Sequence, residues 1–195
     1  MGRWERSEGS GGRLLRANRL FIGTFLEPAA ATRTSDLVWG LYDREGLTSR
    51  PFSADRFHIT LMGIGDFEVI PGGLVEAIMQ GLDRVAAAPF EVSFDRIMSF
   101  KAKEPRARPL VLTCGHGAAA LRGLHDAIGE ALVGVGFPRL PKHSFTPHVT
   151  LLYDRRNVVE QPVEPVSWTV CDFVLVRSLL GQTQHIPLKR WRLRD

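Results

Sequence analysis

Apolar residues in this chain fall in short runs punctuated by glycine, proline and charge. Leu20 to Leu26 is the first run and reads as a strand. Glu27-Pro28 marks a turn and a helix start, since proline is tolerated in a first turn, and Ala29 to about Glu45 forms that helix, ended by Gly46. Pro51 to Arg56 is a loop, and Phe57 to Met62 a strand broken at Gly63 and Gly65. Leu74, Ile78, Leu82 and Val85 recur at helical spacing and predict a helix over Leu74 to Ala87. From Phe90 to Phe100 the pattern alternates, with Phe90, Val92 and Phe94 against Glu91, Ser93 and Asp95, as in a half-buried strand. Leu110 to Thr113 is a further strand, and Ala118 to Val135 a helix striped by Leu121, Leu124, Ile128 and Leu132. Pro147 to Tyr153, Val166 to Val176 and about Ile186 to Leu193 complete the strands.

Two stretches share the order strand, helix, loop, then a strand carrying His-x-Thr-Leu. Leu20 precedes His58 by 38 positions (58 − 20), and Leu110 precedes His148 by 38 (148 − 110). The repeat predicts two related lobes about a pseudo-twofold axis, each a small antiparallel sheet backed by helices. It also predicts a monomer, because the repeat supplies internally what a homodimer would provide. Residues 1–18 are rich in Arg, Gly, Ser and Glu, too polar to offset their ordering entropy, and read as a flexible extension. Residues 19–195 then form a single bilobal domain.

Composition narrows the function classes only slightly. The formal charge of +4 suits a phosphate-bearing partner without requiring one. Cys114 and Cys171 lack metal-ligand spacing and read as reduced, small hydrophobes. No apolar run approaches the ~18 residues of a membrane span, and no signal-peptide segment is visible, so a soluble, cytoplasmic protein is expected.

The informative signal is His58-Ile59-Thr60 and His148-Val149-Thr150. Side chains at i and i+2 of a strand share a face, so each histidine and its threonine point one way and the apolar residues the other. A polar pair on an apolar strand is costly unless partnered, and here the arrangement occurs twice. With 6 His and 10 Thr in 195 residues, roughly 0.3 such triplets are expected by chance. Opening a cyclic phosphate requires water to lose a proton while the leaving oxygen gains one, which two imidazoles can do near neutral pH. Threonine hydroxyls can donate to the non-bridging oxygens as their charge grows. This chemistry requires no metal or other cofactor, and the histidines lack zinc-ligand spacing.

Phe57-His58-Ile59-Thr60-Leu61 and Phe145-Thr146-Pro147-His148-Val149-Thr150-Leu151, with the closing Trp191-Arg192-Leu193, resemble the 2H phosphoesterase superfamily. The nearest branch is the 2′-5′ RNA ligase, or RNA 2′,3′-cyclic phosphodiesterase, family. The resemblance runs from about Leu20 to the C-terminus. It implies an α+β, bilobal fold with two pseudo-symmetric antiparallel sheets and outer helices around a central cleft. The implied partner is RNA or a nucleotide carrying a 2′,3′-cyclic phosphate, opened to the 2′-phosphomonoester, with reversible 2′-5′ joining in some members. By the same resemblance His58 protonates the departing 3′ oxygen, His148 activates water, and Thr60 and Thr150 bind phosphate; symmetry leaves the reverse order open.

After the second motif the sequence departs from the family pattern. Many relatives carry a basic residue where this chain has Tyr153, followed by Asp154, with Arg155 and Arg156 as candidate substitutes. Tyr153, Lys142, His143 and Phe145 are candidate substrate contacts. The basic loop with Lys101, Lys103, Arg106 and Arg108, together with Arg139, is a candidate for RNA phosphates. His116 and His125 read as structural or surface residues, and His185, in the final connection, has no catalytic assignment. Two other readings share these residues: a phosphodiesterase acting on a small nucleotide (a cyclic phosphate of ADP-ribose or a 2′-5′ oligonucleotide), and a non-catalytic RNA-binding module.

Overall fold

The computed structural model describes residues 17–102, 108–138, 145–182 and 184–194. The expected extension at 1–18 lies almost wholly outside them. Strands β1 (Asn18–Phe25) and β2 (His58–Phe67) flank helix α1 (Pro28–Tyr42), and α2 (Leu74–Leu82) leads into β3 (Phe90–Ser99). Then β4 (Arg108–His116), α3 (Ala118–Val133) and β5 (His148–Asp154) repeat the first unit, and β6 (Gln161–Val170), β7 (Asp172–Leu179) and β8 (Gln184–Arg192) follow.

The expected two sheets are one. All eight strands form a single antiparallel sheet in the order β6-β3-β4-β5-β2-β1-β7-β8. Four strands from each half meet at β2 and β5, through the register pair Ile59↔Val149. The pseudo-symmetry survives as the mirrored order on either side of that pair, with α1 and α3 in corresponding places. The lobes do not keep separate cores, however. α1 packs against β6 of the other half and α3 against β2, so one apolar cluster underlies both.

The run Val166 to Val176, expected as one strand, is two. Val166, Trp168 and Val170 are buried alternately, as on a strand with one wet face. Past exposed Cys171, Phe173, Val174, Leu175 and Val176 are all buried, as on a strand covered on both faces. These strands lie in opposite halves of the sheet yet are joined by one residue. The sheet must therefore curve until its outer strands converge there, and the Leu193 N–H donates to the Cys171 carbonyl at 2.8 Å. Trp191, stacked on Phe173 at 5.2 Å and donating to Asp83 at 2.7 Å, ties the last strand to the end of α2.

The helices follow their sequence patterns. α3 buries its predicted stripe of Leu121, Leu124, Ile128 and Leu132, and Pro28 occupies the first turn of α1. α2 ends at Leu82, with Val85 beyond it still packed on the core.

Candidate active site

Ile59 and Val149 face each other across β2 and β5 and point into the core, both fully buried. Cross-strand partners share a face and successive residues alternate. His58, Thr60, His148 and Thr150 therefore all emerge on the opposite face, two on each side of the central pair.

The leucine that follows both motifs has a structural role. Ile22 pairs with Met62 and Gly23 with Thr60, which leaves Leu61 as an extra residue. Leu110 pairs with Leu152 and Val111 with Thr150, leaving Leu151 in the same position. Each strand bulges one residue past its threonine, so Leu61 with Met62, and Leu151 with Leu152, are buried consecutively in the core. The bulge reverses the alternation and returns Tyr153 to the His148 face. It also revises the repeat: the residues in equivalent register are Ile22 and Leu110, at spacings of 36 (58 − 22) and 38 (148 − 110). The matching 38 counted from Leu20 was coincidental.

Both histidines are held identically. His58 Nδ1 lies 2.7 Å from the Arg56 carbonyl, and His148 Nδ1 lies 2.8 Å from the Thr146 carbonyl, each two residues upstream. A carbonyl only accepts, so Nδ1 carries the proton and Nε2 is left to take or give one. Burial lowers the pKa of both rings. That of His58 falls to about 4, chiefly by desolvation, against the carbonyl bond and with help from His185, Arg56 and His148. His148 is lowered mainly by desolvation, again opposed by its carbonyl.

The surroundings differ. His58 stacks on Phe21 at 4.8 Å between centroids, lies 5.5 Å from Phe25 and meets the edge of His185 at 5.3 Å. His148 has Phe100 edge-on at 4.9 Å. Gly23, opposite Thr60, is required by close approach: a Cβ there would stand 2.7 Å from the Ile59 carbonyl oxygen and 3.3 Å from the Phe21 ring.

The remaining candidates separate. Tyr153 is 49% exposed and edge-on to Phe52 at 6.0 Å, and the Arg56 guanidinium lies over the same Phe52 ring at 4.4 Å. Phe145 instead stacks on His125 of α3 at 4.6 Å and packs against the core, in the helix layer. Lys142, His143 and Arg139, with Lys103 and Arg106 of the basic loop, lie outside the described residues. Arg156 binds the Gly46 carbonyl at 3.0 Å and Arg108 the Arg155 carbonyl at 3.0 Å, both structural contacts. Asp154 is a buried clamp, accepting from the Thr48, Ser49 and Arg156 N–H groups at 2.7, 2.7 and 2.9 Å. Burial would raise its pKa, but these donors more than offset that and hold it at about 2.

His185 is the residue that sequence reasoning missed. It sits on β8, remote in the chain from both motifs, and only the β1-β7-β8 pairing brings it to His58. Among the described residues no group of three metal-binding side chains occurs, and no helix is long and apolar enough to cross a membrane.

Comparison with known proteins gives the chain's fold and family. The chain is 26% identical over 179 residues to RNA 2′,3′-cyclic phosphodiesterase of Escherichia coli (strain K12), covering 90% of this chain and 96% of that protein. The fold is that of E. coli LigT in its apo form, with a TM-score of 0.70 at 23% identity over 91% of this chain and 98% of that one. It also matches the TT0787 protein of Thermus thermophilus, with a TM-score of 0.67 at 23% identity over 90% and 98%. A sequence profile of the 2′-5′ RNA ligase superfamily matches residues 27–182, spanning both histidine motifs, and the chain belongs to that superfamily of 2H phosphoesterases.

Proposed function

We propose that this protein hydrolyses 2′,3′-cyclic phosphates of RNA or nucleotides to 2′-phosphomonoesters, with His58 and His148 as the acid–base pair and no metal in the chemical step. The observation that carries the reading is the duplicated Nδ1–carbonyl bond, which aims a proton-exchanging Nε2 from each half on one face of the sheet. Water attacks phosphorus, one histidine takes its proton, the P–O3′ bond breaks, and the other histidine protonates O3′. Thr60 and Thr150 donate to the non-bridging oxygens. Joining a 2′-5′ linkage is the same step with a 5′-hydroxyl in place of water, the new P–O5′ bond forming as P–O3′ breaks. The E. coli relative, an RNA 2′,3′-cyclic phosphodiesterase, supports this substrate class.

The family resemblance makes His58 the acid. The structure favours the opposite order, because His58 is sunk deeper among apolar rings and is harder to protonate. A substrate with sulfur at the 3′ bridging position separates the two, since a thiolate leaves without a proton. It restores turnover to His148→Ala if His148 is the acid, and to His58→Ala if the resemblance holds.

The function is tested with nucleoside 2′,3′-cyclic phosphates in excess chelator, identifying the product isomer. Turnover to the 2′-phosphate, lost in both alanine variants, is the expected result. No turnover, or turnover indifferent to both substitutions, overturns the reading, and turnover abolished by chelator overturns the metal-free step. An RNA-binding module without catalysis would leave the cyclic phosphate intact.

A further inference from the structure

Beside His58, in the first half of the sheet, lies an open pocket of about 400 Å³ lined by Phe25, Asp55, Arg56, Gln184, His185, Pro187 and Arg190. This is room for a phosphorylated sugar. Arg56 connects it to the site directly, since its carbonyl holds His58 and the same residue lines the pocket. Two nitrogens at this border are buried without a hydrogen-bond partner among the described residues, Arg56 Nε and His185 Nδ1. A buried N–H left unpaired costs free energy until something accepts from it or from its group. Arg56 has no ion pair among the described residues. Arg190 spends one N–H on Asp172 at 2.6 Å, and its fork geometry leaves further donors. Exposed Asp55 is the one acidic residue of this lining, against the two arginines.

A second acceptor of negative charge fits this set. We propose that Arg56, Arg190 and His185 form a subsite for a second phosphoryl group, so that the preferred substrate carries a phosphate one ribose away from the reacting one. The proposal rests on the phosphodiesterase reading for the identity of the reacting group, but not for the existence of the subsite. Either a 5′-terminal phosphate or an internucleotide phosphate supplies the required chemistry. Guanidinium forks match phosphate oxygens, and an accepting phosphate satisfies donors left unmatched in the free protein.

The test begins with binding, which needs no turnover. Calorimetric titration compares adenosine 2′-monophosphate with adenosine 2′,5′-bisphosphate. The bisphosphate is expected to bind about tenfold tighter, with an advantage that shrinks as salt rises. Arg190→Gln and Arg56→Gln should each remove most of that ratio, whereas Arg56→Lys should retain part of it. Equal affinities in the wild type, or a ratio that survives both glutamine variants, overturns the subsite. Arg190 is exposed, so its variant retains the fold even if Arg56→Gln perturbs His58.

Turnover then identifies the source of the phosphate. kcat/KM is compared for adenosine 2′,3′-cyclic phosphate, its 5′-phosphorylated form, and a dinucleotide ending in a cyclic phosphate. A gain confined to the 5′-phosphorylated form assigns a terminal phosphate, and a gain for the dinucleotide assigns RNA. If the bisphosphate binds tighter but no cyclic phosphate is opened, the subsite stands and the phosphodiesterase reading fails.

Discussion

The two halves of the sheet carry the same His-x-Thr-Leu pattern, yet they treat it differently. Across from His58 stands Phe25, and across from His148 stands Thr113. Across from Thr60 stands Gly23, and across from Thr150 stands Val111. Four residues past each threonine are Ile64, packed in the core, and Asp154, clamping the loop after α1. The first half thus surrounds its histidine with aromatic rings and a third imidazole. The second leaves its histidine with one aromatic edge and invests polarity in holding the loop. A duplicated motif fixes where two groups meet, while the neighbours decide how readily each is protonated. The proposed acid and base must differ, and desolvation is what sets the two rings apart.

The largest expected effect is symmetric. His58→Ala and His148→Ala should each lower kcat on a 2′,3′-cyclic phosphate by about 10³-fold, the scale of one positioned acid or base. A large inequality between them at neutral pH would mean that one half dominates.

The next is asymmetric. His58 has a pKa of about 4 in the fold, below the ordinary histidine value near 6.5 in an unfolded chain. The unfolded state therefore takes up the proton first. The neutral ring favours folding above about pH 6.5, and that stability drains as pH falls toward 4, by about 3 kcal/mol at most. Thermal melts between pH 7 and 4 should show this loss, and His58→Gln should flatten it more than His148→Gln. Equal flattening would remove the distinction between the halves.

Asp154→Asn probes the polar clamp of the second half. Its carboxyl is held at about pKa 2, so its contribution of about 2 kcal/mol is present above pH 4 and lost as pH falls toward 2. The variant should be less stable at neutral pH and should converge with wild type in strong acid. Convergence already at neutral pH would show that the loop is held by other contacts.

The smallest effect concerns packing beside the threonines. Gly23→Ala should cost about 1 kcal/mol by forcing β1 from the Ile59 carbonyl, and should weaken turnover through Thr60. Val111→Ala, at the equivalent place in the second half, should leave the strand spacing unchanged and turnover less affected. Chemical denaturation and kcat of the two variants measured together would decide it.

Much of this was legible beforehand because it depends on local periodicity. The stripe of α3, the alternation of β3 and the shared face of each His-x-Thr pair follow from repeats of 3.6 and 2 residues. β6 and β7 were read as one strand because both are apolar; the change from alternating to continuous burial at Cys171 was the available signal. The bulges were also visible, as paired apolar residues Leu61-Met62 and Leu151-Leu152 after each motif, where strict alternation demands a polar one.

By itself, then, the sequence determined which residues share a strand face, where the helices run and that the same His-x-Thr-Leu unit occurs twice, since each depends on neighbours a few positions apart. Only the tertiary structure decided that the two units join in one sheet through Ile59 and Val149, that α1 and α3 each reach across to the other half, and that His185 stands against His58. Those outcomes depend on which strands pair across long sequence separations. The energy of that pairing is spread over a whole core, and no local pattern along the chain records it.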